Sequence, residues 1–205
     1  MPLESRSLAL ATLKSLVFVF LMAQFYSYLG PAENPIVAAF MVNSLIALCV
    51  LLMFSTYGSP FTFLPRRWDW FLVPLLLLLG AIGLGMVSSE KVQIPDLRAF
   101  VLPVVLVPIV EEIIFRMGLW RFLGGIHPGA KLYLTAVSFA CLHTNGSQLP
   151  VGPFLLGVLS QWMLLRGAGL GAVILLHMAS NATIVIFLTL DSRWLDWLGI
   201  FYINN

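Results

Sequence analysis

The sequence predicts an all-α fold: a polytopic transmembrane helix bundle of seven or eight helices, one domain over residues 1–205, with a polar site at mid-membrane. Three observations predict it. The first is composition. The 205 residues are 60% hydrophobic and 10% charged, where soluble domains carry about 25% charged residues. Mean hydropathy is +0.97. Such a chain cannot cover a water-facing surface. The second is spacing: charged residues punctuate the chain at intervals that fit membrane spans. The third is that a few ionisable residues sit far from those punctuation points, inside the apolar segments.

The elements follow from the gaps between charges. No Asp, Glu, Lys or Arg lies between Lys14 and Glu33, so a first span fits at 8–29. The first 30 residues lack a small-residue cleavage signal after a short apolar core, so this segment reads as a retained span. A second fits at 35–57, ended by Tyr57-Gly58-Ser59-Pro60, and a third at 70–88. The fourth, 98–123, contains Glu111, Glu112 and Arg116 after ten uncharged residues, Val101 to Val110. The charge-free stretch from Lys131 to Arg166 is broken by Asn145-Gly146 and Pro150, giving spans at 130–145 and 150–165. The next is 168–190, and a short segment, 193–203, is marginal and reads as interfacial. Gly167-x-x-x-Gly171 points to close helix packing. Cys49 and Cys141 lie in apolar segments and read as small core residues.

Lys and Arg counts in alternate loops set the orientation. Arg6, Lys14, Arg66, Arg67, Arg121, Lys131 and Arg166 collect on one side; Lys91, Arg98 and Arg193 on the other. The basic side should be cytoplasmic, with the N-terminus inside and the protein in the cell (inner) membrane. Trp68, Trp70, Trp120 and Trp162 accompany the basic side, as an interfacial belt would. A net charge of +2 gives no case for nucleic acid; the partners expected are membrane lipid and a membrane-associated protein or peptide.

Ionisable groups within spans are costly and mark function by default. Depth tests whether they belong together. At 1.5 Å per residue, Glu111 lies about 15 Å from Arg121, His143 about 18 Å from Lys131, and His177 about 16 Å from Arg166. All three measure from the same edge, so three helices deliver polar groups to one level. Glu112 and Arg116 are four apart and share a helical face, as do His177 and Asn181. Glu111 and Glu112 differ by about 100° around the axis, so one can face a site while the other holds the arginine. Pro108 removes a helical hydrogen bond and leaves a carbonyl free one turn earlier, which a bilayer tolerates beside a cavity or a neighbouring helix. Each feature also has a plainer role. A buried Glu112–Arg116 pair can simply fix packing. His143, or His177 with Asn181, can be interhelical glue. Glu111 resists such dismissal, because Arg116 neutralises one carboxylate better than two. His127, before Pro128, reads as solvated. Cys141 is on a different face from His143, Ser180 lacks a nucleophile-elbow context, and no H-E-x-x-H is present.

Three motifs then carry a resemblance. EEIIFR, Glu111 to Arg116, resembles the E-E-x-x-x-R motif of the CAAX protease and bacteriocin-processing family, also called the Abi family. FACLH, with Phe139 and His143, resembles its F-x-x-x-H motif, and HMASN, with His177 and Asn181, its H-x-x-x-N/D motif. Order, spacing and placement on three apolar helices all match, over 111–181 within a motif core of about 98–190. The resemblance implies an intramembrane endopeptidase, in the absence of extra domains a prokaryotic member. Glu111 and His143 would activate water, His177 and Asn181 would stabilise the oxyanion, and Glu112, Arg116 and Phe139 would support them. It implies either no cofactor, the reading adopted here, or zinc on Glu111, His143 and His177 with an open water position. Other classes weighed are a proton-coupled carrier, disfavoured by the lack of repeats, and a non-catalytic bacteriocin-immunity or partner-binding membrane protein. The substrate is a membrane-associated protein or peptide: a C-terminal tail, a sorting-tag helix or a bacteriocin-like precursor.

Overall fold

The computed structural model describes residues 3–28, 35–57, 61–87, 100–143 and 151–188. Among the described residues the fold is all-helical. Helix α1 is Leu3–Tyr28, α2 Pro35–Tyr57 and α3 Leu72–Val87, the last preceded by a 3₁₀ turn at Trp68–Phe71. Helix α4 runs over 100–122. Helix α5 is Pro128–Cys141, α6 Val151–Leu165 and α7 Gly169–Leu188. The expected segments therefore appear with shifted ends. The marginal segment 193–203 and the breaks at 145–146 and 150 lie outside the described residues.

Among the described residues two helices are long and apolar enough to cross a bilayer on length and hydropathy, at Ser7–Gln24 and Gly169–Ile186. Phe40–Leu51, Trp68–Gly83 and Val151–Leu165 are shorter apolar helices. The outward faces show the same composition. Leu10, Leu13, Leu16 and Phe20 on α1, Met41 and Leu45 on α2, and Leu76 on α3 are all exposed. Soluble proteins rarely expose apolar surface on this scale, whereas lipid covers it.

Packing explains how α4 comes to the centre. Helix α2 packs on its second half, α7 on its Val107–Glu112 segment, and α5 on Ile113–Leu119. Helix α5 also carries α6 and α1, and α3 lies against α7. The core on this side joins Ala11, Ala47, Val110, Ile114, Phe115, Leu119 and Phe139. Helices α5 and α6 touch backbone to side: a Cβ at Gly157 would stand 2.9 Å from the Ala136 Cα. Only glycine permits that approach.

Helix α4 departs from regular α-helix. It is π-helical at Leu102–Leu106, α-helical at Val107–Glu112, and π-helical again at Ile113–Leu119. Such widened turns are often functional.

The glycines at 167–171 have a different role from the helix packing expected of them. They cradle segment 61–67. Leu170 and Gly171, at the start of α7, donate their backbone N–H to the Thr62 and Phe63 carbonyls at 2.8 and 2.9 Å, and Arg66 donates to the Gly167 carbonyl at 2.9 Å. A Cβ on Gly169 would lie 2.5 Å from the Leu64 carbonyl carbon. The open N–H groups of a helix start are thus met by a strap from another part of the chain. His127 is exposed, as expected, and its Nδ1 also accepts from the Gly129 N–H at 3.1 Å and caps α5.

Candidate active site

The three deep polar positions meet. Glu111 Oε2 lies 3.8 Å from His143 Nε2 and 3.6 Å from His177 Nε2. Helices α4 and α7 and the turn that closes α5 supply the three groups. The depth argument from sequence therefore predicts a real juxtaposition.

The two glutamates have separate surroundings. Glu112 is fully buried and its Oε2 accepts from Arg116 Nε at 2.7 Å. Arg116 is also fully buried, so each ion relieves the desolvation of the other. Glu112 has a second partner that spacing alone did not reveal: its Oε1 lies 2.9 Å from His177 Nδ1. Glu111 Oε2, by contrast, is buried without a hydrogen-bond partner.

Neighbours fix which nitrogen of each imidazole is committed. His143 Nδ1 stands 2.7 Å from the Phe139 carbonyl, which can only accept, so Nδ1 carries the proton. His177 Nδ1 faces a carboxylate held by arginine, and it too donates. Both Nε2 atoms are left for Glu111. Separations of 3.6 and 3.8 Å are too long for direct hydrogen bonds and suit a small bridging group such as water.

Phe139 holds both rings. Its centroid is 4.4 Å from His143 and 5.5 Å from His177, the latter edge-on. Phe115 meets it at 5.0 Å, and the Arg116 guanidinium stands 5.5 Å away. His143 is the open member of the group, with 32% of its side chain exposed against 3% for His177. Approach to the cluster is therefore from the α5 side.

Asn181 is placed differently. Its Nδ2 donates to the Pro103 carbonyl at 2.8 Å. The π register explains why that carbonyl is free. In this part of α4 an N–H bonds five residues back, as Val107 does to Leu102. Residue 108 would take Pro103, but Pro108 has no N–H. The sequence predicts a carbonyl freed by Pro108; the wider turn makes it the one at 103. The signal was the five-residue spacing of the two prolines, legible only once the register is known.

The donor chemistry, one carboxylate and two imidazoles, is that of a zinc set. As the side chains stand, no three His, Cys, Asp or Glu among the described residues could hold a metal ion, and no step below is routed through one.

Helical fold, lipid-facing exterior and carboxylate–imidazole cluster together define a helical membrane protein with a polar site between α4, α7 and the end of α5. Residues 93–183 match the family model described as type II CAAX prenyl endopeptidase Rce1-like. The match covers 91 of the 205 residues and supports membership of that family of proteases. No curated protein and no solved structure matches the chain.

Proposed function

We propose that the protein is a glutamate-dependent intramembrane endopeptidase, multi-pass, with its N-terminus cytoplasmic, acting as a single domain. The observation that carries the reading is Glu111 Oε2 facing two imidazole nitrogens from other parts of the chain with no hydrogen-bond partner. Glu111 and His143 hold a water. Glu111 takes its proton as the water oxygen attacks the scissile carbonyl carbon. Asn181 donates its second amide hydrogen to the oxyanion, beside His177, whose Nδ1–H is gripped by Glu112. The proton on Glu111 then passes to the amide nitrogen as the C–N bond breaks. Arg116 and Glu112 keep α4 in register, and Phe139 positions both rings. The substrate class is a membrane-associated protein or peptide, cleaved near a C-terminal tail, a sorting-tag helix or within a bacteriocin-like precursor. The description of the matching family, a CAAX prenyl endopeptidase, supports a C-terminal tail among these.

Glu111→Gln and His143→Ala should each abolish cleavage by the purified, folded protein. Retention of full activity by both would sink the reading. A second reading, the zinc peptidase, is favoured by the donor set at the same three residues. Activity in excess chelator separates the two: persistence supports the bare glutamate, and loss that zinc restores supports the metal.

A further inference from the structure

Helix α1 carries none of the three motifs, yet one of its side chains stands in line with them. Phe18 meets Phe115 of α4 edge-on, with ring centres 5.6 Å apart and planes at 77°. Phe115 meets Phe139 at 5.0 Å and 85°. Phe139 in turn touches His143 at 4.4 Å and His177 at 5.5 Å, the latter at 82°. An unbroken row of rings thus runs from the first helix to both imidazoles that face Glu111. Edge-on contact is directional, because the positive edge of one ring seeks the negative face of the next. Each plane therefore constrains its neighbour's, which a leucine of similar bulk would not do. The start of the row is itself anchored. One turn before Phe18, Lys14 donates to the Phe122 carbonyl at 3.0 Å, and Ala11 is buried in the core that holds Phe115 and Phe139. Positions 11, 14 and 18 have the spacing of one helical face, whereas Leu13, Leu16 and Phe20 are exposed. Phe18 is half-buried against that same core.

We propose that Phe18 and Phe115 are positioning residues of the site: through Phe139 they hold the His143 and His177 rings with their Nε2 atoms turned to Glu111. The effect on cleavage rests on the peptidase reading; the effect on the imidazoles does not. Helix α1, which contributes nothing to the carboxylate–imidazole cluster itself, thereby becomes part of the machinery. Filling the core is the plainer role of both rings, and it predicts a loss of stability alone.

The test uses the purified full chain and two readouts. One is carbethoxylation of His143, the open imidazole, by diethyl pyrocarbonate, followed by mass spectrometry; it needs no cleavage. The other is kcat and KM on a quenched-fluorescent peptide with a prenylated C-terminal tail. Phe18→Leu and Phe115→Leu keep apolar bulk and drop the ring. Each should speed His143 modification and lower kcat by about two- to tenfold, the factor one aromatic pair is worth, with KM unchanged. Phe18→Tyr, which keeps the ring, should retain wild-type values. Phe20→Leu, which removes a lipid-facing ring of the same helix, should leave them unchanged. In the Phe18→Leu/Phe115→Leu double variant the losses should not add, because both act through one row. Melting temperature and monodispersity are checked for every variant; if Phe115→Leu does not fold, the half-buried Phe18 decides alone. A lowered melting temperature with His143 reactivity or kcat unchanged would reduce the rings to core filling and overturn the inference, as would an equal effect of Phe20→Leu. Faster His143 modification in the variants of a protein that cleaves nothing would uphold the linkage between the rings and sink the peptidase reading instead.

Discussion

The side-chain amide of Asn181 donates to the main-chain carbonyl of Pro103, 78 residues away, at 2.8 Å. Two helices are joined by a bond that exists because Pro108 cannot make it. Asn181→Ala should therefore cost about 1–2 kcal/mol, one buried hydrogen bond with its orphaned acceptor. In a Pro108→Ala background the new N–H competes for the same carbonyl. There the cost of Asn181→Ala should fall by about 1 kcal/mol. A double-mutant cycle of thermal unfolding in detergent measures this coupling; strict additivity would contradict the assignment.

The two glutamates should part company in stability. Glu112→Gln leaves a fully buried Arg116 without its counter-ion, at a cost of about 3–5 kcal/mol. Glu111→Gln removes a charge whose Oε2 has no hydrogen bond to lose, and should change stability by less than about 1 kcal/mol. Glu111→Gln should also lose about 10²–10⁴-fold in cleavage rate, the usual contribution of a general base. Melting curves and a cleavage assay on the same preparations give both readouts. Equal destabilisation by the two would mean they share one environment.

Gly169 has φ +75°, a left-handed conformation that costs a residue with a Cβ about 1–2 kcal/mol. Its Cβ would also overlap the Leu64 backbone. Gly169→Ala should lower stability by at least about 2 kcal/mol and loosen the 61–67 strap. Trypsin cleavage at Arg66 and Arg67 reports on that strap and should accelerate. An unchanged digestion rate would mean the strap is held by something other than α7.

Gln161 on α6 is fully buried, and both its amide oxygen and nitrogen lack partners. Unsatisfied amide groups in an apolar interior cost about 1–3 kcal/mol. Gln161→Met keeps the length and removes the polar atoms, so the melting temperature should rise. A fall would indicate that the amide is satisfied in the membrane.

Much of this architecture was legible in the sequence. Gaps between charges placed the helices, because an ionisable residue inside lipid is too costly to be placed at random. Counting residues from the basic edge brought Glu111, His143 and His177 to one level, and they do meet. What was not legible depends on details that composition does not encode. The His177–Glu112 contact requires the rotation of α7 against α4, which helical spacing leaves open. The π register of α4 decides which carbonyl Pro108 frees. Glycines at 167–171 looked like a helix-packing stripe because the strap they receive, 61–67, is distant in sequence and carries no periodic signal.

The six-residue α segment Val107–Glu112 lies between two π-helical stretches, and this gives α4 slack. A wide turn can shed one residue and rewind as ordinary α-helix without breaking. Losing a residue within 113–119 would keep Glu111 and Glu112 in place while swinging Trp120 and Arg121 by about 100° around the axis. A one-residue deletion in 113–119 is thus the change that would re-aim the basic end while leaving the carboxylates where they are.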